Sequence, residues 1–427
     1  MKRALRLALI VLMLQVRLIF AESIIIDGSA VPHLVGEKLS SIRMIDADGK
    51  PIPFQIDELT SDGEYLCDRG AEPNDSLSNG ILDSIDEIVF LRQDASPLGP
   101  DSGSTVMHYQ KDLCMPLEFG NFPNRRRVYI CNNPTFKRST KRYMTYDHST
   151  QLVKTPWYYA EFGNKRFHFV RAGVKKAGAD GYIDLTNELR IQIKLRALWG
   201  LLPISYNEES MICHVKRYKT GPIRLVRRGD FHLSLGLGIK GSRASVNQIC
   251  YPQMVRVPVY VHLPIRFHNL FKEAWIEMSP VIRPEGKDYD FKVKRHHLSF
   301  PLGAPGTLDT LVPITPTRQF MRVDDGSNGY GWLLETDMGD NFLDGSGFLI
   351  KRPSERGGIA HCGFRLAVRD LPRGRYLITN WVMFADRNVE ELNAMYLHVI
   401  APTRVRIGNR HTLINRIRTV HTRAEKR

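Results

Sequence analysis

Residues 189–196 read Leu189-Arg190-Ile191-Gln192-Ile193-Lys194-Leu195-Arg196, an unbroken alternation of apolar and polar side chains. Successive side chains on a strand point to opposite faces, so this pattern predicts a strand with one buried face and one wet, basic face. The same period recurs at Phe231, Leu233, Leu235, Leu237 and Ile239, with small or polar residues between. Residues 255–263, 331–336, 364–368 and 376–384 are further strand candidates. A helix is predicted once, with Asn388 as its N-cap, Glu391 three residues on as in a capping box, and residues 389–397 following. Many strands with almost no alternating helix predict a large antiparallel sandwich, not a doubly wound sheet.

At 427 residues the chain exceeds the roughly 250–300 at which one core stops growing, so two domains are expected. Composition is ordinary, at 43% hydrophobic and 25% charged, which excludes collagenous, mucin-like and wholly disordered classes. The net charge of +15 divides unevenly: residues 1–21 carry +4, 22–100 carry −11, 101–402 carry +15 and 403–427 carry +7. An acidic module at 22–110 therefore precedes a basic remainder. Its short apolar runs at 23–26, 42–45, 53–57 and 87–91 predict strands joined by turns rich in Asp, Gly, Asn and Ser. Residues 111–155 are expected as a basic linker segment, 156–407 as the large β body and 408–427 as a basic tail.

Residues 1–21 read as a signal peptide, with Lys2, Arg3 and Arg6 ahead of the apolar run 7–14 and Ala21 at the cleavage position. That run falls short of the ~20 residues a spanning helix needs, so no transmembrane span is expected in the mature chain. Export predicts a secreted or periplasmic protein associated with the cell envelope. Six cysteines follow: Cys67, Cys114, Cys131, Cys213, Cys250 and Cys362, none in C-x-x-C spacing. Three disulfides or buried thiols both satisfy that pattern.

Between Arg125 and Arg142 lie seven Lys or Arg residues and no acid, with Tyr129, Phe136 and Tyr143 in or beside the run. Cations and rings together can hold a carboxylated or sulfated sugar. The alternative is a solvated basic face whose aromatics belong to the core. Export favours an acidic polysaccharide or envelope glycan over nucleic acid as the anionic partner.

The sharpest local motif is Asp75-Ser76-Leu77-Ser78-Asn79-Gly80-Ile81-Leu82-Asp83-Ser84-Ile85-Asp86. An EF-hand loop places oxygen ligands at positions 1, 3, 5, 9 and 12, a carbonyl at 7 and Gly at 6. Asp75, Asn79, Asp83 and Asp86 fill 1, 5, 9 and 12, and Ile81 offers the carbonyl, while Leu77 leaves position 3 without a ligand. Calcium in a structural role is the expectation, and a polar turn without metal is the alternative.

A second acidic run holds Asp324, Asp325, Glu335, Asp337, Asp340 and Asp344. It reads best as turn residues, because Gly326, Gly329, Gly339, Gly345 and Gly347 crowd the same stretch. Trp332 beside it is either a sugar platform or a core aromatic. Neither a zincin, an α/β-hydrolase nor a Walker motif occurs. A polysaccharide lyase needs a Tyr or His base and a cation; Tyr143, Tyr146, His148 and Arg142 offer those types in one short segment.

The runs Ile52-Pro53-Phe54-Gln55-Ile56-Asp57-Glu58, Asn79-Gly80-Ile81-Leu82-Asp83 and Asp86-Glu87-Ile88-Val89-Phe90 resemble secreted bacterial proteins with an N-terminal β module. In those proteins a galactose-mutarotase-like supersandwich follows, and the 75–86 loop is similar to that of dockerin modules. The resemblance implies a mainly β fold, with a small N-terminal β-sandwich module and a large antiparallel supersandwich-like body. It implies a calcium-stabilised glycan or envelope binder, or alternatively a carbohydrate-active enzyme, a lyase or glycoside hydrolase. No catalytic residues transfer.

Overall fold

The alternation at 189–196 folds as strand Glu188–Ala197, antiparallel to Leu202–Tyr206 on one side and Phe271–Ile282 on the other. Ile193 and Leu195 are buried, whereas Arg196 is exposed and faces Glu273 at 3.5 Å. The computed structural model describes residues 21–98, 114–120, 124–163, 168–175, 180–208, 213–234, 240–263, 266–282, 290–293, 298–301, 310–313, 318–337, 345–351, 360–386, 388–401, 403, 405–407 and 410–412.

Strand Glu188–Ala197 belongs to a six-stranded sheet that continues through Phe271–Ile282, Ala360–Ala367, Gly347–Lys351 and Thr310–Pro313. A ten-stranded sheet has at its centre Gly329–Thr336, Gly374–Ala385, Met254–Leu263 and Lys240–Cys250. Neighbouring strands in both are antiparallel. Leu195, Trp332, Phe348, Phe364 and Ile378 lie in one shared core. Each such side chain contributes roughly 1.5–3 kcal/mol on burial. An apolar cavity of about 180 Å³, bordered by Ile193, Val259 and Trp332, remains within it. A five-stranded sheet, from Thr145–Asp147 to Tyr182–Thr186, adds to the same core through Val153, Tyr158 and Phe169.

Helix α1, Glu390–Ile400, is the one α-helix among the described residues. Asn388 Oδ1 accepts from the Glu390 N–H at 2.9 Å and the Asn388 carbonyl from Glu391 at 3.0 Å, so the predicted cap starts the helix. Leu392, Met395 and Val399 repeat on one face and are buried against Gly329–Thr336 and Gly374–Ala385.

The N-terminal module forms two further sheets. One orders Ser23–Asp27, Glu87–Leu91 and Phe54–Asp57; the other pairs Ile42–Ile45, Arg126–Asn132, Cys114–Phe119, Val405–Ile407 and Arg410–Thr412. Ile24, Ile88, Phe90, Leu117, Val128 and Ile130 form the core between them. The chain is thus mainly β in antiparallel sheets.

Several boundaries differ from the sequence reading. The expected linker 111–155 contains Cys114–Phe119 and Arg126–Asn132, which are strands of the acidic module, and then two strands of the five-stranded sheet. Its basic composition hid the alternation: Val128 and Ile130 point inward, while Arg125 and Arg127 pair with Glu118 of the neighbouring strand. Residues 405–407, placed with the body, instead pair with Leu117–Phe119 of the N-terminal module, and 410–412 of the tail extend that sheet. The segments 1–20, 235–239, 340, 344 and 413–427, which carry other parts of that reading, lie outside the described residues.

Both cysteine outcomes occur. Cys114 and Cys131 face each other across neighbouring strands and form a disulfide. Cys67, Cys213, Cys250 and Cys362 are buried thiols pushed up to about 12 by burial, which suppresses thiolate chemistry.

Candidate functional site: a basic cleft beside a buried ionic junction

Strand Phe54–Asp57 alternates in an unusual sense: Gln55 and Asp57 are buried and polar, whereas Phe54 and Ile56 are half-buried. The polar pair meets the body. Arg224 Nε lies 2.7 Å from Asp57 Oδ2, and its Nη2 lies 2.5 Å from Glu87 Oε2. Tyr251 accepts from Arg224 at 3.2 Å, and Tyr65 donates to Glu87 at 2.9 Å. Gln55 Oε1 accepts from the Arg224 backbone at 3.0 Å, and its amide donates to both Asp57 oxygens at 2.9 Å. The turn before Arg224 must approach Gln55 closely: a Cβ on Gly221 would stand 1.9 Å from Gln55 Oε1. Burial alone would raise Asp57, but Arg224 and then Lys219 outweigh it and hold the carboxyl below its usual range. Burial likewise opposes the Arg224 charge, and Asp57 and Glu87 more than restore it.

The other face of that strand forms the floor of a cleft of about 430 Å³, lined by Leu39, Phe54 and Ile56. Its walls carry Arg138, Lys141, Arg142 and Lys219. Lys141 pairs with Asp94 at 3.0 Å and Lys219 with Asp57 at 3.1 Å. Arg138 donates to the Leu39 carbonyl at 2.8 Å and Arg142 to the Gly221 carbonyl at 3.1 Å. Neither has a carboxylate partner among the described residues, so both line the cleft with their charge unneutralised. Arg43 anchors the segment from beneath through the carbonyls of Phe136 at 2.6 Å and Pro134 at 3.2 Å. Burial and the nearby Arg138 charge push the Arg43 guanidinium down. An apolar floor beside unneutralised cations suits an anion with an apolar or ring-shaped body.

The basic run thus divides. Arg125 and Arg127 are spent on Glu118, Arg126 on the Ala95 carbonyl, and Arg138, Lys141 and Arg142 line the cleft. Of its aromatics, Tyr143 is in the core, stacked on Trp157 and bonded to Asp94. Tyr146 and His148 sit elsewhere: Tyr146 Oη lies 3.2 Å from His148 Nδ1, and His148 stacks on Tyr218 at 4.7 Å. The cation beneath them is Arg227, fully buried against Phe162 at 4.2 Å, not Arg142. Gln55, Asp57, Lys219, Arg224 and Arg227 were not singled out from sequence as site residues. The available signal was a carboxylate inside an apolar strand and two arginines flanking Leu225-Val226.

The 75–86 loop is organised by hydrogen bonds among its own residues and to Glu58 and Leu59, Glu58 accepting from Ser78 at 2.8 Å and from the Gly80 N–H at 3.2 Å. Gly80 takes a positive φ of 68°, Asn79 Nδ2 donates to Asp83 at 3.0 Å, and Asn79 Oδ1 accepts from the Ile81 N–H at 2.9 Å. Asp86 accepts from the backbone of Leu59 at 2.9 Å and of Asp83 at 2.7 Å. Asp75 stands apart in the short turn Asp75–Leu77. Among the described residues no three His, Cys, Asp or Glu side chains gather as a metal-holding group. Burial, with the charges of Asp83 and Glu58, pushes Asp86 up to about 6 against the hydrogen bonds that lower it.

In the second acidic run, Asp325 accepts from Ser327 at 3.0 Å and Asn328 at 2.7 Å within a turn. Asp324 and Glu335 pair with Arg322 and Arg318, both at 2.7 Å. Trp332 is buried and bonded to Asn380, a core aromatic.

No family model and no curated protein matches the sequence. Among solved structures, a protein in glycosyl hydrolase family 38 from Enterococcus faecalis is similar over 92% of this chain and 46% of its own, at 8% identity and a TM-score of 0.50. An alpha-mannosidase from Enterococcus faecalis V583 is similar over 92% of this chain and 44% of its own, at 8% identity and a TM-score of 0.48. A protein assigned as an aldose 1-epimerase from Klebsiella pneumoniae covers 58% of this chain at 7% identity and a TM-score of 0.37. The chain spans less than half the length of the two Enterococcus faecalis proteins. At such identity the likeness is one of fold: this β assembly is shared with part of a family 38 glycosyl hydrolase.

Proposed function

We propose that this is an exported, envelope-associated β-sandwich protein that binds a carboxylated or sulfated glycan in the basic cleft. The observation that carries the reading is Arg138 and Arg142, each satisfied by a carbonyl and left without a carboxylate in the cleft lined by Leu39, Phe54 and Ile56. The fold shared with a glycosyl hydrolase adds support. Titration calorimetry with alginate and heparin as probes, and dextran as the neutral control, tests it. An Arg138→Ala/Arg142→Ala variant should bind the anionic probes about tenfold more weakly, with wild-type binding falling as salt screens the cations. Equal binding of dextran, or no loss in the variant, would refute it.

A second reading, a carbohydrate-active enzyme with a mutarotase-like body, draws on the Tyr146–His148 hydrogen bond. It requires unsaturated uronate or reducing ends released from a polysaccharide and lost in Tyr146→Phe.

A further inference from the structure

The hairpin that follows strand Glu188–Ala197 exposes apolar side chains in sequence. Trp199 is 88% exposed and Leu201 83%, with Leu198, Leu202 and nearby Leu270 also exposed. Leu198 and Trp199 adopt φ values of 49° and 55°, left-handed conformations that disfavour side-chain-bearing residues. The turn Leu198–Gly200 packs on the start of strand Phe271–Ile282, where a Cβ on Gly200 would meet Lys272 Cδ at 2.9 Å. Backbone strain and a close-packed glycine therefore hold a Trp and three leucines out in water, where burial would be favourable.

Unpaired cations lie at the same end of the sheet. Lys272 and Arg266 are exposed and have no carboxylate partner among the described residues. The same end carries Arg196 facing Glu273 and Arg369 facing Asp370. A hairpin tip is too small for a protein interface, which needs about 800 Å² from each partner. Exposed Trp and Leu beside the unpaired cations Lys272 and Arg266 instead suit the boundary of a bilayer, where the indole sits at headgroup level.

We propose that residues 198–202 insert Trp199 and Leu201 into the surface of a lipid bilayer bearing anionic headgroups, which Lys272 and Arg266 contact. The attachment proposed is peripheral and made by this loop; no helix among the described residues is long and apolar enough to cross a membrane. It is independent of the glycan cleft.

The test is co-sedimentation of the full chain with phosphatidylcholine vesicles, with and without phosphatidylglycerol. A Trp199→Ser/Leu201→Ser variant, of unchanged circular dichroism, should bind anionic vesicles about tenfold more weakly. Lys272→Glu/Arg266→Glu should lose the preference for phosphatidylglycerol. Residues 1–20 are common to all the chains and contain no tryptophan, so a blue shift of wild-type emission on vesicles, absent in the loop variant, reports Trp199. Trp199→Phe should retain binding. Equal sedimentation of wild type and loop variant would overturn the proposal. So would a lipid-free dimer on gel filtration that the loop variant abolishes, which would make the tip a contact between copies.

Discussion

Arg224 of the body and Asp57 of the N-terminal module meet at 2.7 Å with neither side chain exposed to solvent. A buried pair of this kind is weak evidence of net stability but strong evidence of coupling, because removing one partner strands the other. Asp57→Ala is expected to cost about 3–5 kcal/mol in urea denaturation. A loss below about 1 kcal/mol would mean that Glu87 alone compensates Arg224.

Glu22 makes a second link between chain ends. It lies 2.7 Å from Arg92 and 3.0 Å from His398, and accepts from Thr403. Burial would raise its pKa, but hydrogen bonding and charge from His398, then the charge of Arg92, bring it from 4.5 to about 2. The lowered value gives stability that is complete above pH 4.5 and lost as pH falls through about 2. Wild type minus Glu22→Gln should shrink by about 3 kcal/mol across that window. A pH-independent difference would count against the ionised pairings.

The Cys114–Cys131 disulfide closes a segment with a sequence separation of 17. Constraint of the unfolded chain over that length contributes about 3 kcal/mol, so Cys114→Ser/Cys131→Ser should lower stability by that order. Thiol titration of the native protein should find Cys67, Cys213, Cys250 and Cys362 unreactive until unfolding, given their burial.

Calcium binding at Asp75, Asn79, Ile81, Asp83 and Asp86 is a further proposal, supported by the EF-hand-like spacing of these residues in the sequence. The raised Asp86 carboxyl contributes stability below pH 3.8 that is lost as pH rises through about 6. Calcium, by binding the native form, should raise the melting temperature. Asp86→Ala should remove that calcium response. Identical melting curves in millimolar calcium and in chelator would mean that the loop closes on its own hydrogen bonds alone.

Strand positions were legible where a short apolar run or a clear apolar–polar alternation dominated the local composition. Glu87–Leu91 and Glu188–Ala197 followed directly from their residues, as did the cap of helix α1 by Asn388. Arg126–Asn132 was not, because arginines on its wet face dominated its composition while Val128 and Ile130 carried the buried period.

The sequence by itself determined the β class and the helix start, since each depends on residues within a few positions of one another. Only the tertiary structure decided that Arg224 answers Asp57 across 167 residues, and that Val405–Ile407 returns to Cys114–Phe119. It also parted the basic run into cations neutralised by Glu118 and cations lining the cleft. The physical reason is that a charge or an open strand edge can be satisfied by any complementary group the chain brings within reach. Local sequence specifies the need for a partner, and the fold alone supplies which one.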